Sequence, residues 1–145
     1  MYSNILIPTD GSKLSLKAAR QGIRLASATD AGITAFIATP TFRMFTLDPV
    51  MSADSPARHA THSRQFAARA LKAIEMLAAA RGVPCRSRHV VADHPDREII
   101  RMATRCGCEL IVMASHGRSG VRGLLLGSIA AKVVSHSTLP VMIIR

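Results

Sequence analysis

The chain has 145 residues, is 48% hydrophobic but only 3% aromatic, and carries a formal net charge of +10. Its length suits one domain, residues 1–145, with a core of Ala, Leu, Ile, Val and Met. No apolar run approaches the roughly 18 residues of a spanning helix and no secretion signal opens the chain, so a cytoplasmic protein with no membrane partner is expected.

Residues 3–8 read as a buried strand, an apolar run Ile5-Leu6-Ile7 closed by Pro8. Thr9-Asp10-Gly11-Ser12 is a tight turn, and Ser12 suits the N-cap of a helix whose stripe is Leu16, Ala19, Ile23 and Ala26. Asp10 lies just past the carboxyl end of the strand, where open α/β sheets place ligands. Its carboxylate can accept both hydroxyl protons of a ribose, or it can cap the helix as a turn residue; position alone leaves both readings open.

Residues 33–38 form a second strand. Residues 40–56 form a loop, long for a compact domain, carrying Phe42, Met44, Phe45, Leu47, Val50 and Met51. It can cover a pocket, present a partner surface or include a short helix. Residues 57–81 form a long helix with the stripe Phe66, Ala70, Ile74 and Leu77, ended by Gly82 and Pro84. His59 and His62 have a spacing that can hold a metal, but no third ligand converges on them, so a solvated face is expected.

Residues 85–91 alternate like a strand, and their three basic residues suggest a sheet edge. Asp93 or Asp96 can cap the short helix that follows, with Pro95 in its first turn and Ile99, Ile100 and Ala103 as its apolar side. The three cysteines, Cys85, Cys106 and Cys108, make neither a disulfide framework nor a C-x-x-C pair; reduced, mostly buried thiols are expected. Residues 109–114 form the fourth strand, Ile129, Val133 and Val134 pack the last helix, and Val141, Met142, Ile143 and Ile144 form a fifth strand.

Strands alternating with helices imply an α/β fold, an open, mostly parallel five-stranded sheet with helices on both faces. Winding outward from the first strand gives the order 3-2-1-4-5. The switch point then lies between strands one and four, and it brings Asp10 to the loop after strand four.

That loop, from Met113 to the last helix, is dotted with Gly117, Gly120, Gly123 and Gly127. Strand, glycine loop and helix start make an anion cradle, because small residues let backbone N–H groups approach and the helix N-terminus adds free donors. It is neither a Walker A motif nor a dinucleotide G-x-G-x-x-G. Ser128 can cap the helix or turn to the ligand. Arg118 and Arg122 can neutralise phosphate or point to solvent, and His116 can contribute its backbone or its ring. No nucleophile–base pair stands out, which favours binding over efficient catalysis. The net charge favours anionic partners, but it is dispersed over the helices. With no Trp and one Tyr there is little to stack on bases, so nucleic acid is not the expected partner.

The pattern Ala114-x-x-Gly117, nine residues, then Gly127-Ser128 resembles the nucleotide-binding signature of the universal stress protein family. The usual form there is G-x-x-G, so Ala114 is a departure, one that matters if its backbone needs positive φ. Residues 5–12 resemble the family's opening and residues 139–144 its last strand, so the resemblance runs from end to end. It implies a Rossmann-like fold and ATP or a related adenine nucleotide as ligand, with magnesium or manganese bound through the phosphates. Pro8, Thr9 and Asp10 would line the nucleotide site, with Asp10 holding the ribose, and Ala38, Met113 and Ala114 would line the adenine. His116, Gly117, Arg118, Gly127, Ser128 and Ile129 would cradle ribose and phosphates. It also implies a homodimer through the last strand and a switch or protective factor in stress response, with at most slow hydrolysis. The other readings are a slow ATPase and a dimeric interaction module that binds no nucleotide.

Overall fold

Alternation along the strands decides which helices each strand meets. The computed structural model describes residues 1–42, 55–118 and 125–145. In chain order the elements are β1 (Asn4–Pro8), α1 (Lys13–Ala28), β2 (Gly32–Thr39), α2 (Pro56–Ala79), β3 (Cys85–Val91), α3 (Pro95–Arg105), β4 (Leu110–Ala114), α4 (Ser128–His136) and β5 (Val141–Ile144). The strands form one parallel sheet in the order β3-β2-β1-β4-β5, as expected, with the basic strand β3 at an edge.

Successive side chains of a strand point to opposite faces. Ile5 and Ile7 of β1 and Leu110 and Val112 of β4 therefore join the core under α1 and α2. Leu6, Ile111 and Met113 join the core under α3 and α4. All three apolar residues of β1 are 0% exposed, which explains why this strand reads as a continuous apolar run.

Ser12 is the N-cap of α1, accepting the Ser15 N–H at 3.1 Å. Gly22 in mid-helix lets α1 lie close on the sheet, since a Cβ there would fall 2.8 Å from Ile7 Cδ1. α2 starts one residue earlier than expected because Ser55 caps it and Pro56 fills its first position. Its fully buried residues are Ala67, Leu71, Ile74 and Ala78, while Phe66, Ala70 and Leu77 are only partly buried against the same core. The stripe is thus rotated by one residue from the expected one, because α2 packs against α1 as well as the sheet.

Several local expectations change. Neither Asp93 nor Asp96 caps α3, whose N-cap is His94 without a side-chain bond. Asp93 instead accepts from the backbone N–H and hydroxyl of Thr41, tying the end of β2 to the start of α3. In α4 Ala130 and Val133 are buried, whereas Val134 is 45% exposed. Of the three free thiols only Cys108 is fully buried; Asn4 of β1 donates to its sulfur at 3.3 Å, and burial pushes its pKa up to about 11. His59 packs its ring edge-on to Phe42, with Nε2 3.3 Å from the Pro40 carbonyl oxygen. Most of the 40–56 loop lies outside the described residues. No helix among the described residues is long and apolar enough to cross a membrane.

Candidate functional site

A cleft of about 340 Å³ opens at the carboxyl ends of β1 and β4, at the switch point of the sheet. Its first wall is the β1–α1 turn. The Thr9 N–H donates to the Phe36 carbonyl at 2.8 Å, and the Thr9 and Ser15 hydroxyls lie 2.9 Å apart. Asp10 follows, with both carboxylate oxygens held by backbone. Oδ1 accepts the Ser12 N–H at 2.9 Å and Oδ2 accepts the Arg118 N–H at 2.7 Å. A carboxylate has about four lone-pair directions, so each oxygen keeps room for a hydroxyl donor. Asp10 is therefore not the helix cap; it is the brace between the first turn and the glycine loop.

The second wall is the end of β4 and the residues beyond it. Ala114 is the last residue of the strand, paired with Ile144, and Asp30 is the only non-glycine with positive φ among the described residues. The alanine in place of glycine therefore carries no backbone strain. Gly117 approaches Asp10 so closely that a Cβ would fall 2.8 Å from Oδ2. Buried Ser115 lies with Oγ 3.0 Å from His116 Nδ1, and its backbone N–H donates to Ile144 O at 2.8 Å. His116 lines the cleft, and its Nε2 is buried with no hydrogen-bond partner among the described residues.

The third part is the N-terminus of α4. Gly127 is its N-cap, with φ −70° and ψ 165° and no side-chain bond. The Ser128 hydroxyl therefore does not cap the helix, which begins with Ser128 itself. Gly127 donates its N–H to Ser115 O at 2.7 Å, and a Cβ on it would lie 3.1 Å from that oxygen. The first-turn N–H groups of Ser128, Ile129 and Ala130 have no intrahelical acceptors, and all three residues line the cleft. They supply anion donors at the positive end of the helix dipole.

The cleft also has an apolar slot, lined by Phe36, Ala38, Pro95, Ile99 and Met113. The apolar lining of the slot suits a ring system, and the braced carboxylate and helix start suit hydroxyls and an anion.

The cleft thus brings together Pro8, Thr9, Asp10, Ala38, Met113, Ala114, His116, Gly117, Gly127, Ser128 and Ile129. Arg118 is the exception. Its backbone reaches Asp10, but its guanidinium carbon stands 4.8 Å from the Phe66 ring centroid, over α2. Arg122 lies outside the described residues. The sequence reading did not include Ser15, Ser115, Phe36, Pro95 or Ile99. Ser15 carried a signal, a hydroxyl four residues before Ala19 on the buried face of α1; Pro95 and Ile99 join the site only through the packing of α3. Among the described residues Asp10 is the only carboxylate that lines the cleft, and these residues contain no group of three or more His, Cys, Asp or Glu able to hold a metal ion.

The model of the universal stress protein family matches residues 1–145. Universal stress protein MJ0531 of Methanocaldococcus jannaschii is 30% identical over 150 residues, covering 100% of this chain and 83% of its own length. The solved structure of the hypothetical protein MJ0577 superposes with a TM-score of 0.82 at 22% identity, covering 99% of this chain and 96% of that one. A universal stress protein in complex with cAMP aligns at 24% identity with a TM-score of 0.70, over 99% of this chain and 97% of its own. One from Archaeoglobus fulgidus in complex with dAMP aligns at 18% with 0.66, over 99% and 98%. At these identities the structural likeness speaks to the fold.

Proposed function

The chain belongs to the universal stress protein family, and from that premise we propose that it binds ATP and acts as a nucleotide-dependent switch or protective factor in stress response. The observation that carries this reading is the convergence, in one cleft, of the braced Asp10 carboxylate, the uncapped start of α4 and an apolar slot. In this reading the adenine lies between Ala38, Ile99 and Met113, and Asp10 accepts the ribose hydroxyls. The phosphates take the N–H groups at the start of α4, with His116 beside them, its Nε2 without a partner among the described residues. Adenine nucleotides in two structures of the same fold support the choice of base.

Magnesium or manganese would arrive with the phosphates, needing few protein ligands; Asp10 is the lining carboxylate that could reach it. No catalytic step is assigned, since Asp10 is the only carboxylate among the described lining residues. The alternative, a module that binds no nucleotide, rests on Ala114 and on the family's division into members that bind ATP and members that do not; the backbone at Ala114, which has no positive φ, takes away the strain part of that case alone. The exposed edge of β5, with Met142 40% exposed, supports a homodimer that pairs this strand with its copy.

Calorimetric titration with ATP, with and without magnesium, on protein stripped of nucleotide tests the reading. Saturable binding is expected. No heat at millimolar ATP would overturn it and leave the interaction module.

A further inference from the structure

α1 and α2 lie side by side on one face of the sheet. α1 carries Lys13, Lys17, Arg20 and Arg24 and no carboxylate; α2 carries Arg58, Arg64, Arg69 and Lys72 against Glu75 alone. On the other layer α3 mixes Asp96 and Glu98 with its arginines. The basic excess is therefore gathered on the α1–α2 layer and is not evenly dispersed.

A groove of about 290 Å³ runs along this layer, lined by Lys17, Arg20, Arg24 and Arg81 around Ile23 and Leu77. Ile23 is 1% exposed and forms its floor. Lys17, Arg20 and Arg24 follow one helical stripe, a spacing at which like charges repel and weaken a helix. Among the described residues no carboxylate lines the groove, and Arg20, Arg24 and Arg81 form no salt bridge. Lys17 Nζ donates to the Arg145 carbonyl oxygen at 2.6 Å, which leaves the three guanidinium groups as the open donors.

We propose that this groove docks an acidic segment of a partner protein, which lays Asp or Glu carboxylates on Arg20, Arg24 and Arg81 and seats one aliphatic side chain against Ile23 and Leu77. Guanidinium forks match carboxylates in paired, directional bonds. A concave apolar floor has no use for a bilayer, which takes protruding apolar side chains. It has none for single-stranded nucleic acid either, which would call for aromatic stacking surfaces, and among the described residues no aromatic lines the groove. The groove shares no described lining residue with the cleft, and the proposal does not depend on the nucleotide reading.

The test is fluorescence anisotropy at about 0.15 M salt with a dye-labelled peptide, Asp-Glu-Asp-Leu-Asp-Glu-Asp, and its counterpart with Ser for Leu. The Leu peptide is expected to bind saturably and the Ser peptide about tenfold more weakly. An Arg20→Glu, Arg24→Glu double variant, both sites being exposed, is expected to lose binding at least about tenfold while its melting temperature and its ATP titration stay as in the parent. Absence of binding, equal affinity for the two peptides, or undiminished binding by the double variant would overturn the proposal. Displacement of the peptide by phosphatidylserine vesicles or duplex DNA more readily than by unlabelled peptide would overturn it in favour of those ligands.

Discussion

Gly117 is required by its neighbour, since the space its Cβ would take belongs to the Asp10 carboxylate. Gly117→Ala is therefore expected to break the Asp10–Arg118 bond and weaken ATP binding by about tenfold or more, the loss of a charge-assisted hydrogen bond of about 1.5–3 kcal/mol; calorimetry on the variant checks this. Gly127→Val presses on the Ser115 carbonyl in the same way. It should abolish ATP binding with the circular dichroism of the fold retained, and unchanged affinity would sink the assignment. His89 of β3 is a residue-scale pH sensor of stability. Burial holds its pKa below the usual value, and Thr39 Oγ1 stands 2.7 Å from its Nε2. Above about pH 6.5 the ring is neutral folded and unfolded. As pH falls below that, the unfolded chain takes up the proton first, so stability drops until the folded-state pKa is passed. His89→Gln should flatten this acid limb in urea melts run at about pH 7 and about pH 5. Asp10 was legible from its place after a strand, but its bracing role was not, because its partner Arg118 is 108 positions away. The fate of the Arg118 side chain was equally hidden, since Phe66 meets it only after α2 has docked.

Elements were more legible than their exact faces. Every strand and helix was expected, with small shifts of their bounds, as where the Ser55 cap starts α2 one residue early. The α2 stripe was misjudged by one residue because two surfaces, sheet and α1, share that helix. The true stripe predicts a contrast. Ile74→Ala, at a fully buried site, should cost about 2–5 kcal/mol. Met76→Ala, 64% exposed, should fall within about 0.5 kcal/mol. Urea denaturation of both variants checks the pair, and equal effects would contradict the packing of α2.

For the whole molecule, the sheet order followed from a chain-winding rule and was readable without any side-chain detail. How copies associate is not written in a single chain. The proposed β5 pairing predicts light scattering at about twice 15.5 kDa at micromolar concentration. Met142→Lys, a charge on an edge strand, should return it to the single-chain mass. A single-chain mass for the parent would remove the dimer from the proposal.

The brace between Asp10 and Arg118 also bears on when the site comes into being. It joins the first and fourth strands across 108 positions, so it can close only after most of the chain has been synthesised and the central pair β1–β4 has formed. Contacts of such long range are late and slow steps of folding. Whatever occupies the cleft therefore recognises finished molecules and ignores nascent or half-collapsed ones. Because a ligand that binds only the native state adds about 2.7 kcal/mol of stability at a hundredfold excess over its dissociation constant, the cellular supply of that ligand would set how long each completed copy escapes proteolysis.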